Sequence, residues 1–292
     1  MRNLAPTTNR SSFPIPRDRL VQVSVWSAAA IVAGTFAWVL ADLLVQGASR
    51  IDWSFLVTAP LKAGRAGGIA PILVATVLIL MVAVVTAVPI ALATAALLSE
   101  FVRAGSRTER SIGLSLDVLA GLPSIVFGLF GNAFFCVWLG MGFSILSGGL
   151  TLACMTLPIL IRSAETGLRM VPDEWRYGAA ALGLSRATLL WQVLIPAAAP
   201  ALTAGLMLGI GRAMAETAAL IFTSGYVDRM PSSLLDSGRA ISVHIYDLTM
   251  NVAGGDQNAY ASALVLIALL ISINSAALWL AGKTLKRRIT TS

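Results

Sequence analysis

Arg212 and Glu216 stand four residues apart inside an otherwise apolar stretch, residues 197–224. A charged residue at the middle of a membrane helix costs about 2.5–3.5 kcal/mol on insertion scales. Two such residues need each other, water or a polar path. On a continuous helix, the four-residue spacing puts both on one face, within reach of an ion pair. Two readings follow. In one, Arg212 attracts an oxyanion, which its planar fork of donors suits, while Glu216 holds or gates the arginine. In the other, the pair locks helix packing. Intramembrane charges usually face a bundle interior and mark a substrate or ion route. Gly205-x-x-x-Gly209 in the same stretch allows another helix to approach closely.

Other chemistry is sparse. The single histidine, His244, excludes the usual zinc sets, and Cys136 and Cys154 lie in apolar runs as small hydrophobes. Ala281-Gly282-Lys283-Thr284 mimics the end of a phosphate-binding loop. However, Ala277 occupies the place of that loop's first glycine and the segment continues an apolar helix. Lys283 is read as a membrane-edge anchor. An intramembrane enzyme would need a nucleophile–base or metal set that these residues do not supply.

The elements that must carry Arg212 are membrane spans. The chain has 292 residues, 57% hydrophobic and 12% charged, with a mean hydropathy of +0.82. Soluble domains carry about 25% charged residues. Several apolar runs exceed the roughly 18 residues that a spanning helix needs. Six spans are expected, near residues 21–45, 69–98, 114–139, 144–161, 197–224 and 260–281. Pro89, Pro123 and Pro158 are expected to kink the second, third and fourth. Residues 1–20, with Pro6, Pro14 and Pro16, form a polar tail read as disordered. Residues 21–288 form the membrane domain. The first apolar run is too long for a cleavable signal core of about 7–15 residues.

The net charge of +7 reflects membrane topology rather than nucleic acid. Basic residues crowd the N-terminal tail, the segment of Arg103, Arg107 and Arg110, that of Arg162, Arg169, Arg176 and Arg186, and the C-terminal Lys283, Lys286, Arg287 and Arg288. Alternate segments hold only Arg50, Lys62, Arg65, Arg229 and Arg239. The positive-inside rule then places both termini in the cytoplasm, with a long cytoplasmic loop at 162–196 and an external one at 225–259.

The cytoplasmic loop has local helix signals. Pro172, Asp173 and Glu174 suit a helix start. Ala179, Ala180 and Ala181 favour helix, and Gly183 offers a stop. A second short helix should end before Pro196. Such a pair is either an ordinary interfacial element or a docking knob for another protein.

This loop resembles the EAA loop of ABC importer permeases, in which E-A-A is followed by a glycine and then by I-x-L-P. Gly183 takes the glycine place, and Val193, Ile195 and Pro196 the final places. Tyr177, Gly178 and Ala179 stand where E-A-A would be. The segment from Arg212 through Glu216 and Thr217 to Leu220 is similar to the R-A-x-G-E-T-A-P-L stretch of phosphate permeases, with Ala215 and Ala219 replacing glycine and proline. Gly121-Leu122-Pro123-Ser124-Ile125-Val126-Phe127-Gly128-Leu129 matches their third-span pattern. Gly67-Gly68-Ile69 and Asn274 also fit. The whole looks most like the PstA type, one half of a phosphate permease pair.

The resemblance implies an all-α integral membrane protein of the type I ABC importer permease (MetI-like) fold. It implies a second permease subunit, two ATPase subunits that bind ATP and magnesium, an external phosphate-binding protein, and the bacterial inner membrane. This chain itself would need no cofactor and bind no nucleic acid. Translocation would involve Arg212, Glu216, Thr217 and Ser124. ATPase coupling would involve Pro172, Glu174, Tyr177, Gly178, Ala179, Ala180, Gly183, Leu184 and Pro196. Rival substrates are sulfate, molybdate, phosphonate or an organic solute; a further rival is a scaffold using external residues 234–250.

Overall fold

A computed structural model describes residues 16–103 and 105–289. The chain divides into two units, Met1–Val45 and Gln46–Ser292. The first consists, in its described part, of most of helix α1 (Pro16–Gly47), whose side chains are exposed throughout 19–39. Residues 1–15 of the expected tail lie outside the described residues. Residues 16–20 are already helical, because Pro16 lacks only an N–H that a first turn does not use.

The second unit opens with α2 (Trp53–Val57), capped by Asp52, whose carboxylate accepts from the Phe55 N–H at 2.7 Å. A small antiparallel hairpin, β1 (Pro60–Leu61) and β2 (Ala66–Gly67), pairs Pro60 with Gly67 and Leu61 with Ala66. Then comes α3 (Ala70–Ala96), extended by a π turn at Leu97–Phe101. Its buried ridge repeats every four residues: Ala75, Ile79, Ala83, Ala87, Ala91 and Ala95, all at most 2% exposed. Lipid is as apolar as leucine, so helices in a membrane associate by close packing, and a small-residue ridge permits it.

That ridge meets α6 (Ile145–Arg169), the central helix, which is buried on nearly every side. A Cβ on Gly149 of α6 would stand 2.5 Å from the Val82 side chain, so only glycine fits that crossing. Both α3 and α6 run through their prolines, Pro89 and Pro158, as single helices. Helix α6 also continues to Arg169, past the expected end near 161, because Arg162 and Arg169 find carboxylate partners on the neighbouring α4 (Arg107–Gly121).

The third expected span departs most. It is two helices, α4 and α5 (Ser124–Gly131), the latter prolonged by a π turn at Asn132–Trp138, bent by 101° at Leu122–Pro123. Pro123 caps α5 instead of kinking one continuous helix. Among the described residues, five helices are long and apolar enough to span, or six if the bent pair is one span.

After α6 come α7 (Asp173–Ala181), α8 (Arg186–Leu189), a π turn at Leu190–Leu194, and α9 (Ile195–Met214). The second short helix does not end before Pro196; Arg186–Met214 is one span. The π turn shifts the hydrogen-bond register, Ile195 N–H reaching Leu190 C=O, just before Pro196, which has no donor to give. The expected fifth span, 197–224, stops at Met214 and resumes as α10 (Ala218–Ile221). The segment after α10 holds α11 (Ile241–Met250), and α12 (Asp256–Ile289) packs on α11 and α9.

Candidate functional site

The interruption at Ala215–Thr217 sits where the sequence shows an unbroken apolar run. Arg212 lies in the last turn of α9, where a cation favours the helix dipole. Its side chain is exposed and forms no ion pair or hydrogen bond with any described residue. The expected Arg212–Glu216 pair does not form, because the helix that would align them has ended. Glu216 instead turns its carboxylate to the Ala219 N–H at 3.2 Å, capping α10. Its carbonyl accepts from the Ser242 hydroxyl of α11 at 2.6 Å.

Thr217 and Ser124 are half-buried, and neither hydroxyl bonds to a described residue. Their elements adjoin. Asn132, just after α5, donates its amide to the Phe222 carbonyl at 2.8 Å. A Cβ on Gly128 of α5 would lie 2.9 Å from the Ala219 Cα of α10. Glycine at Gly128 therefore lets the half-helix after Ser124 press against the one after Thr217. The arrangement offers one unneutralised guanidinium, a helix break, and two hydroxyls on packed half-helices. Ser242, whose hydroxyl reaches the break, was not legible: it is an ordinary hydroxyl residue until the tertiary fold brings it there.

At the basic end, α7 begins after Pro172 with Asp173 and Glu174 in its first turn. It ends in a Schellman motif: Leu184 N–H reaches Ala179 C=O and Gly183 N–H reaches Ala180 C=O, each at 3.0 Å, with Gly183 at φ +70°. Ala179 is buried and Pro196 half-buried. Pro172, Glu174, Tyr177, Gly178, Ala180, Gly183 and Leu184 are exposed. Tyr177 and Leu182 are 72% and 79% exposed, so the helix shows an apolar face. Arg176 ties α7 down. It grips Glu100 after α3 and the carbonyls of Leu168 and Val171. The Glu100 carboxylate, the largest cause, raises the Arg176 pKa above its ordinary value. Beside α7 lies a groove of about 340 Å³ bordered by Gly167, Met170, Trp175, Ala198 and Ala201.

A family model described as "binding-protein-dependent transport system inner membrane component" matches residues 87–289. The chain belongs to that family. The permease is similar to a probable ABC transporter permease protein, YqgI, of Bacillus subtilis (strain 168), 29% identical over 94% of this chain and 97% of that one. It is similar to phosphate transport system permease protein PstA 1 of Mycobacterium tuberculosis (strain CDC 1551 / Oshkosh), 32% identical over 86% and 84% of the two chains. Among solved structures, the inward-facing MetNI methionine ABC transporter matches with a TM-score of 0.56 at 15% identity, covering 74% of this chain and 94% of that one. That likeness shows the fold: the permease has the MetI-like helical architecture. It is a multi-pass membrane protein and a permease subunit of an ABC importer.

Proposed function

We propose that this permease carries inorganic phosphate across the bacterial inner membrane, with ATP hydrolysis performed by partner subunits. The observation that carries the reading is Arg212, a fixed cation without a carboxylate partner at the end of a spanning helix. A guanidinium left against lipid is costly, so its exposed face in the single chain implies an aqueous route or a partner surface in the assembly. A second, related permease subunit supplies that wall. An oxyanion passing between the subunits meets a planar donor fork, with the Thr217 and Ser124 hydroxyls as further donors. Glu216 shapes the break instead of neutralising the arginine. Binding is weak, since a tight site would trap the ion.

The phosphate permeases among its relatives favour phosphate over other oxyanions. Two ATPase subunits with bound ATP and magnesium dock on α7 and the exposed residues around Gly183, and an external binding protein delivers the anion. Their closure displaces α7 and rocks the attached spans, giving alternating access. The basic-residue distribution supports cytoplasmic termini. The test is uptake of labelled phosphate into vesicles by the assembled complex, with ATP, against excess unlabelled sulfate or molybdate. Flux that persists in their presence and stops without ATP supports the reading; flux suppressed equally by sulfate overturns the substrate.

A further inference from the structure

We propose that Ser242 is a positioning residue for transport: the first turn of α11 clasps the α9–α10 break and sets where Arg212 stands. This deepens the reading of Arg212 as part of the anion route and rests on it.

Ser242 lies 26 residues beyond Glu216 in the chain, yet its hydroxyl donates to the Glu216 carbonyl at 2.6 Å. The helical ladder is interrupted there, so the donor comes from outside the helix. The clasp is itself anchored. The Ile241 N–H donates to the Thr76 hydroxyl of α3 at 2.9 Å, and Thr76 donates to the Ile72 carbonyl at 2.6 Å. Ala240 and Val243, on either side of this turn, are buried in one apolar cluster with Ala213, Met214 and Leu220, residues flanking the break. The chain before α11 is fastened back to the end of the α10 region: Gly238 N–H reaches Ser224 C=O at 3.0 Å and Arg239 N–H reaches Val227 C=O at 2.9 Å.

The same α11 bears on the external hairpin. A Cβ on Gly64 would touch His244 and Leu248 at 3.0 Å. One short helix thus spans from the external surface to the break, and α3 holds it at the crossing. Movement of α11 therefore displaces the Glu216 carbonyl and the α9 terminus together. A cleft of about 10 Å³ beside Thr76, Ala213 and Ser242, room for about one water or methyl, adjoins the hydroxyl. Threonine at this position can keep the bond and put its extra methyl there.

The experiment uses the assembled complex in vesicles, with Cys136→Ala and Cys154→Ala removing the native thiols and Ala215→Cys placing one in the exposed break. Labelling of that thiol by a membrane-impermeant maleimide reads break geometry without reference to any substrate. Loss of one buried hydrogen bond corresponds to roughly fivefold in an equilibrium between two local states. Ser242→Ala is therefore expected to change the labelling rate by about fivefold, and Ser242→Thr to restore it to within about twofold. Without the thiol, phosphate uptake by Ser242→Ala shows a lower maximal rate with unchanged KM, because Arg212 is still present. Thr76→Val frees the same turn from the α3 side and shifts labelling in the same direction, which decides the matter if Ser242→Ala does not assemble. Labelling unchanged in both variants overturns the proposal, as does an assembled Ser242→Thr that labels like Ser242→Ala. If labelling responds but even the unaltered complex moves no phosphate, the substrate reading fails and the clasp stands.

Discussion

Arg176 of α7 closes a two-pronged ion pair on Glu100, Nη2 to Oε1 at 2.7 Å and Nε to Oε2 at 3.2 Å, across 76 residues of chain. The side chains are only 20% and 14% exposed, so this pair is worth more than a surface bridge. It makes the exposed face of α7 and the foot of α3 one body. Arg176→Ala should lower the thermal midpoint of the purified complex, in line with a loss of about 1–3 kcal/mol. It should also weaken co-purification of the ATPase subunits. Swapping the pair, Arg176→Glu with Glu100→Arg, should recover part of both.

Arg212→Ala should cut phosphate uptake by about tenfold or more, while Arg212→Lys retains a fraction, because a point charge attracts the anion without the fork. Glu216→Gln should stay within about twofold of the unaltered protein, since an amide oxygen can still accept from the Ala219 N–H. Initial rates in vesicles measure both. Equal loss in Glu216→Gln and Arg212→Ala would mean that the two act as a pair after all.

Gly183 sits at φ +70° with open space where a side chain would go. Bulk alone should thus be harmless, and backbone strain should dominate. Gly183→Asn should couple ATP hydrolysis to uptake nearly normally. Gly183→Val, which pays about 1–2 kcal/mol or more for the left-handed conformation, should lose ATPase association. The ratio of phosphate moved to ATP hydrolysed reports the difference.

His244 is 1% exposed, and burial first, then the Arg239 charge, lowers its pKa from 6.5 to about 4. The folded protein therefore refuses a proton that the unfolded chain accepts. Its stabilising contribution is full above about pH 6.5, falls as the pH drops toward 4 and levels off below, with a span of roughly 3 kcal/mol. Thermal midpoints of the purified protein across that window should fall more steeply than those of His244→Gln.

Much of this architecture follows from local signals. The apolar run of the second span, the Pro172–Asp173 start and the Gly183 stop act over short stretches of chain, so the order of residues alone reveals them. The interruption after Met214 does not. Ala215, Glu216 and Thr217 contain neither glycine nor proline, and what supports the break arrives from Ser242, far along the chain. Pro123 was legible as a disturbance, but its 101° turn was not, and the ion pairs of Arg162 and Arg169 with Asp117 and Glu109 of α4 join residues far apart in the chain. The mixed polarity of Ile241–Met250 resembled a loop because its burial comes from three different helices. Arg162 and Arg169 resembled loop residues because, beside the nearby Glu165 that both of them pair with, their other carboxylate partners, Asp117 and Glu109, are distant in sequence.

The alanine ridge of α3 has one more consequence. Small side chains cannot swing, and interlocked backbones this close leave no slack for sliding. Helices α3 and α6 therefore form a single beam, and the regular helical ladder is interrupted away from their crossing, by the widened turns at Asn132–Trp138 and Leu190–Leu194.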